Sequence, residues 1–191
     1  LRQDENRRPD GRRRGQVPGV QSGSGPRHGY RLRIAEIGES VKAGAAEIDI
    51  VISRRHVLTG NWQALYDEMA EMRAACGAAH VKAILATGEL GTLRNVARAS
   101  LVCMMAGADF IKTSTGKMPV SATPEAAIIM CHALKYWHET TGMKKGFKPA
   151  GGISTAADAM VYMTIVEDIL GSEWLSNTLF RIGASRLAND L

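Results

Sequence analysis

From Arg31 onward, short apolar runs of period two alternate with longer stretches in which apolar residues return every three or four positions. Period two puts successive side chains on opposite faces of a strand. A return every three to four residues puts them on one side of a helix. Ala46–Ile52 reads as a strand, with Ile48, Ile50 and Ile52 on one face and Glu47, Asp49, Val51 and Ser53 on the other. Trp62–Ala75 reads as a helix whose stripe is Trp62, Leu65, Tyr66, Met69 and Met72. His80–Ala86 is a predicted strand, Leu93–Ala106 a helix and Asp109–Ser114 a strand. Pro124–Glu139 is a helix, with Thr123 as N-cap and Pro124 at the first position, where a missing N–H is tolerated. Lys145–Pro149 is a strand, Ala156–Leu170 a helix after Ser154 and Thr155, and Leu179–Gly183 the last strand. The methionine stripes, including Met104, Met105 and Met130, are expected to be core.

Asp49, Lys82, Lys112, Lys148 and Gly183 mark five successive strands, spaced 33, 30, 36 and 35 residues apart. One strand and one helix per step is the rhythm of a parallel sheet with helical crossovers. It fits a TIM-type barrel or a doubly wound sheet. No strand runs into a Gly-x-Gly-x-x-Gly turn or a P-loop, which weakens the second.

Residues 1–30 have a different texture, with arginine clusters and a Gly/Ser/Pro run from Pro18 to Pro26 but no apolar period. Their seven arginines and three acids contribute +4 of the chain's net +5, so the basicity is local. Such a segment buries too little apolar surface to offset its ordering entropy and is expected to be disordered. No aromatic interleaving or nucleic-acid-binding motif accompanies it, so nucleic acid is not an expected partner. Asp4, Glu5 and Asp10 argue against an acid-poor transit peptide. The expected organisation is a disordered segment over 1–30, foreign to the fold, and a partial barrel domain over 31–191. No apolar run approaches the length of a membrane span. Cys76, Cys103 and Cys131 lack a metal-type spacing and are expected to be buried, reduced thiols of a cytosolic protein.

Charges inside the strands carry the chemistry. A charge within a strand core is costly unless paired, and a buried ion-pair network that merely fixes the barrel is the plain alternative. Lys112 faces away from Ile111, with Phe110 and Ser114, and Lys148 lies on the next strand. Neighbouring strands are about 4.8 Å apart, so two inward ammonium groups at one height repel each other. Repulsion and desolvation both lower a lysine pKa and favour a neutral, nucleophilic amine. Asp49 would hold the remaining charge and shuttle protons. These are the requirements of a lysine Schiff-base site. Gly151-Gly152 and Gly183-Ala184-Ser185 follow the last two strands and run into helices. Backbone N–H groups of such loops can hold a phosphate, as the last two loops of TIM barrels commonly do.

Asp109–Lys117 (Asp-Phe-Ile-Lys-Thr-Ser-Thr-Gly-Lys) and Gly146–Gly152 (Gly-Phe-Lys-Pro-Ala-Gly-Gly) resemble the signature strands of the deoxyribose-phosphate aldolases. Glu47–Val51, Ala86–Leu90 and Arg181–Ser185 are similar to other strands of that family, and the resemblance covers about residues 31–191. It implies an α/β fold, the TIM-type (β/α)8 barrel. Here the barrel is expected to be truncated, with the first three strands missing and the arginine-rich segment in their place. The resemblance further implies that Lys112 forms the Schiff base, that Lys148 is the second lysine, and that Asp49 is its acid/base partner. Lys117, Gly151, Gly152, Gly183 and Ser185 would take the phosphate. The implied reaction is cleavage of 2-deoxyribose 5-phosphate to glyceraldehyde 3-phosphate and acetaldehyde, with no metal and no cofactor.

Two positions depart from the family pattern: Ser154 stands where an arginine is expected, and Arg186 where a serine or threonine is common. The expected partner is a small sugar phosphate; a homo-oligomer stays open. Another Schiff-base barrel such as a transaldolase, or a non-catalytic remnant barrel with a basic arm, remains as an alternative. An incomplete barrel is expected to be aggregation-prone and to turn over at trace level at most.

Overall fold

A computed structural model of the chain describes residues 15–16, 26–117 and 120–184. Five parallel strands pair in chain order: β1 (Gly15–Gln16), β2 (Glu47–Val51), β3 (His80–Ile84), β4 (Phe110–Lys112) and β5 (Gly146–Lys148). The helices are α1 (Pro26–Lys42), α2 (Arg54–Leu58), α3 (Trp62–Ala75), α4 (Leu93–Met105), α5 (Pro124–Thr141) and α6 (Ala156–Leu170). Residues 179–183 extend the ladder beyond β5. Phe147 N–H donates to Leu179 O at 2.8 Å, and Gly183 N–H donates to Pro149 O at 2.8 Å. A doubly wound sheet reverses strand order at a switch point. The unbroken order here is the winding of a TIM-type barrel, and the fold is α/β of that kind.

The alternation seen in the sequence sorts the side chains into two layers. Ile48, Ile50, Val81, Ala83, Ile111 and Phe147 point outward and are buried under α3 to α6 against Leu65, Met69, Val96, Met130, Leu134 and Val166. Thr92, Thr123 and Thr155 cap α4, α5 and α6, each accepting a hydrogen bond from the backbone N–H three residues on. Asp158 returns the bond to Thr155, closing a capping box that fixes where the loop after β5 ends. No described helix is long and apolar enough to cross a membrane.

α3 and α6 match the expected boundaries, and β2 to β5, α4 and α5 shift by a few residues at their ends. The expected last strand, 179–183, forms only isolated parallel bridges, Phe180 to Phe147 and Gly183 to Ala150. Three further features differ from expectation. α1 begins at Pro26, so the border placed after residue 30 falls inside a helix. Arginine is a good helix former, and a run without apolar periodicity can still enter a helix that packs elsewhere. Gly15–Gln16 pairs with Ile48 and Asp49 on the outer edge of β2. Two residues are too few to show alternation, so only the backbone reveals them. The remainder of the segment expected to be disordered lies outside the described residues. Finally, Met104 and Met130 are core, but Met105 is 59% exposed. Adjacent helix positions lie about 100° apart, and Met105, the last residue of α4, turns away from the face of Met104.

Candidate active site

Residues paired across a parallel ladder share a face. Asp49 pairs with Lys82, Ile84 with Lys112, and Lys112 with Lys148. The register therefore gathers one carboxylate and three lysines on the inner face. Lys112 and Lys148 are the last residues of β4 and β5, at the carboxyl ends of the strands where barrel enzymes place their chemistry.

Asp49 holds the group together. Its Oδ2 accepts from Lys112 Nζ at 2.7 Å and from Lys148 Nζ at 3.1 Å. Its Oδ1 lies 3.3 Å from Lys82 Nζ. Lys82 also donates to Glu47 Oε2 at 2.7 Å, and Glu47 Oε1 lies 3.4 Å from Arg181 Nη2. The four groups Asp49, Lys82, Lys112 and Lys148 are all buried, at 8%, 2%, 5% and 8% exposure. Burial pushes the Asp49 carboxyl up, but the hydrogen bond and charge of Lys112, with the charges of Lys148 and Lys82, outweigh it and hold it below its ordinary value. Lys148 moves down. Burial is the main cause, the Lys112 and Lys82 charges add to it, and Asp49 opposes it.

The end of β4 is stitched to the end of β5. Thr113 Oγ1 donates to Ala150 O at 3.0 Å and accepts from Ala150 N–H at 2.9 Å, and Ser114 Oγ donates to the same carbonyl at 2.7 Å. Both side chains are fully buried, so the two lysines stand on a rigid base. Gly146 is needed beneath them. A Cβ there would fall within 2.5 Å of the Phe110 ring, which fills the inner face below Lys112.

Three loops meet above the strand ends. Gly116 approaches Gly151 closely, and Gly151, at φ +87°, leaves no room for a side chain beside Ser121 and Gly116. The Gly151 N–H donates to Gly183 O and the Gly183 N–H to Pro149 O. These two glycines therefore contribute clearance between the loops. Gly152 is exposed, with open space where a Cβ would sit. Lys117 is exposed on the neighbouring loop. Ser185 and Arg186 lie outside the described residues. Ser154, where an arginine was expected, donates its N–H to Asp158 Oδ2 at 3.0 Å.

The structure thus joins Asp49, Lys112 and Lys148, which the sequence singled out. It adds Lys82, Glu47 and Arg181, whose signal was charge inside strand-like runs. Thr113 and Ser114 gave no signal of their own. Four basic side chains, Lys82, Lys112, Lys148 and Arg181, face two carboxylates, Asp49 and Glu47. The three cysteines are buried free thiols, with Cys76 pushed up to about 11 and Cys131 to about 12 by burial. Among the described residues no group of three or more His, Cys, Asp or Glu is placed to hold a metal. An amine, a second amine and a shared carboxylate at a polar strand end can capture a carbonyl and move protons around it.

Residues 18–171 match the model of the DeoC/LacD family aldolases. The chain is 57% identical over 161 residues to the deoxyribose-phosphate aldolase of Mus musculus, covering 84% of this chain and 51% of that protein. It is 56% identical over 161 residues to the Homo sapiens enzyme of that name, again covering 84% and 51%. It therefore spans about half the length of the curated relatives it matches. Among solved structures, the tetrameric deoxyribose phosphate aldolase of Aeropyrum pernix superposes with a TM-score of 0.64, covering 91% of this chain and 62% of that one. At 23% identity that likeness speaks for the fold alone.

Proposed function

This chain belongs to the DeoC/LacD family of aldolases, and from that premise we propose that its site performs the retro-aldol cleavage of 2-deoxyribose 5-phosphate through a Schiff base on Lys112. The observation that carries this reading is the sharing of Asp49 Oδ2 between Lys112 and Lys148. Lys112, in its unprotonated form, adds to the C1 aldehyde of the open-chain sugar. A proton relayed by Lys148 and Asp49 lets the carbinolamine lose water and become an iminium. The iminium takes up the electron pair of the C2–C3 bond as that bond breaks, and a base removes the C3 hydroxyl proton. Glyceraldehyde 3-phosphate leaves, and an enamine remains on Lys112. Protonation of the enamine carbon and addition of water release acetaldehyde and restore the amine. Asp49, held below its ordinary pKa, gives up the relayed proton readily and, once ionised again, balances the transient iminium charge. Lys148, lowered toward neutrality, can give and take protons where an ordinary lysine cannot.

The phosphate is assigned to the rim formed by Lys117 and Gly152, with the close-packed Gly151 and Gly183 giving it room; Ser185 completes the set that the motif implies. The reducing compartment suggested by three buried free thiols fits a cytosolic enzyme.

Acetaldehyde release from 2-deoxyribose 5-phosphate tests the reading. Release is expected at trace level, with kcat/KM for unphosphorylated deoxyribose lower by at least about tenfold, a modest value for losing one charge-assisted contact. Equal rates on both sugars would remove the phosphate assignment. Preferential cleavage of a ketose phosphate would move the chain to a transaldolase-like activity.

A further inference from the structure

Lys82 is the most buried charged group of the cluster, yet the mechanism above gives it no step. It sits one level below the site lysines, in the middle of β3, with two carboxylates on it. Glu47 Oε2 is the nearer at 2.7 Å, and Asp49 Oδ1 lies at 3.3 Å. Glu47 opens β2, and its other oxygen faces Arg181 on the 179–183 segment, 134 residues away in sequence. Phe110 completes the enclosure, with its ring centroid 5.9 Å from Lys82 Nζ. The chain Arg181, Glu47, Lys82, Asp49 thus runs up the inner face from the amino ends of the strands to the site.

We propose that Lys82, clamped by Glu47, is a positioning residue that occupies Oδ1 of Asp49 and so turns Oδ2 toward both Lys112 and Lys148. A carboxylate with one oxygen occupied has a fixed plane. A carboxylate facing only Lys112 and Lys148 could rotate and pair its two oxygens with one ammonium each. That would remove the shared oxygen through which a proton passes between the lysines. Glu47 matters because it anchors Lys82 from below, and Arg181 ties Glu47 to the far strand. The groups that face Asp49 are Glu47 on its own strand, Lys82 on β3, Lys112 on β4, Lys148 on β5 and, through Glu47, Arg181 on the last segment. Lys82 contributes to the lowering of both Asp49 and Lys148.

This inference rests on the aldolase reading only for its effect on rate; the titration of Asp49 requires no substrate. The experiment follows the Asp49 carboxyl carbon by NMR across acidic pH in carbon-13-labelled protein, assigned with Asp49→Asn. Lys82→Met, close in shape but uncharged, is expected to raise the Asp49 midpoint by about one pH unit, the scale of losing an opposite charge at this range. Lys82→Arg, which keeps the charge, is expected to hold the midpoint near that of the unmodified chain. The acid limb of the acetaldehyde-release profile should move with the midpoint in Lys82→Met and return in Lys82→Arg. If Lys82→Met does not fold, Glu47→Gln replaces it. That variant removes a neighbouring anion and leaves Lys82 to Asp49 alone, so the midpoint is expected to fall. A midpoint unmoved in a folded Lys82→Met, or unmoved in Glu47→Gln where Lys82→Met fails, overturns the clamp and leaves the aldolase reading standing. A shifted midpoint in a chain that never forms an adduct at Lys112 upholds the clamp and overturns the aldolase reading.

Discussion

On β2 to β5 the outward residues Ile48, Ile50, Val81, Ala83, Ile111 and Phe147 are no more than 2% exposed, and the inward Asp49, Lys82, Lys112 and Lys148 are at most 8% exposed. The same strands, by alternation, therefore bury two layers to nearly the same depth. The outward layer gains by leaving water, at about 25 cal/mol for each Å² of apolar surface. The inward layer loses hydration and recovers it only through ion pairs, which at best break even against apolar residues of the same size. Stability thus resides on one face and the proposed chemistry on the other. A fold selected for stability alone would have no use for three lysines on one aspartate.

Opposite substitutions on the two faces separate these roles most strongly. Phe147→Ala, outward and fully buried, should lose about 3–5 kcal/mol in urea unfolding. Lys112→Met, inward on the neighbouring strand, should change stability by less than about 1 kcal/mol, because Asp49 keeps Lys82 and Lys148 as partners. A loss at Lys112 as large as that at Phe147 would mean that the inner cluster is a structural core after all.

A smaller effect is expected where the two layers meet. Gly146→Ala would set a methyl within 2.5 Å of the Phe110 ring, which supports the inner cluster. Overpacking of this kind costs about 1–3 kcal/mol. Phe110→Leu in the same chain should recover part of it by vacating the ring's space. No recovery would place the strain in the β5 backbone instead of the inner face.

How much of this was legible beforehand differs by face. The outward layer was plain, because Ile48, Ile50 and Ile52 alternate and α3 carries its own stripe from Trp62 to Met72. Asp49, Lys112 and Lys148 were legible for the opposite reason, as charges where a strand core is expected. Lys82 stood in the same kind of position, but nothing in one dimension shows that its partner is Glu47, 35 residues away, or that Arg181 lies beneath both. Thr113 and Ser114 read only as the end of a strand until the register brings Ala150 against them. Gly15–Gln16 had no pattern to read, since its role is carried by the backbone. Gly151 and Gly183 stand where the family resemblance places phosphate donors, but their N–H groups are engaged within the protein.

The smallest expected effect is on the pH dependence of stability, and it comes from the inner face alone. Asp49 has a folded pKa below its ordinary 3.8, so its contribution is present above that value and is lost as pH falls through the folded value. Lys148 has a folded pKa below 10.5, so the unfolded chain binds the extra proton, and stability rises as pH climbs from the folded value toward 10.5. Unfolding measured across alkaline pH should show this rise in the unmodified chain and a flatter curve in Lys148→Met. An unchanged rise in Lys148→Met would assign it to another group.

Whether Lys112 is the amine that takes the carbonyl is tested by adding acetaldehyde and borohydride together to the unmodified chain, followed by digestion and mass mapping. One ethyl group is expected on the peptide containing Lys112, lost in Lys112→Met and retained in Lys117→Met. An ethyl group placed on Lys148 instead, and persisting in Lys112→Met, would contradict that role for Lys112.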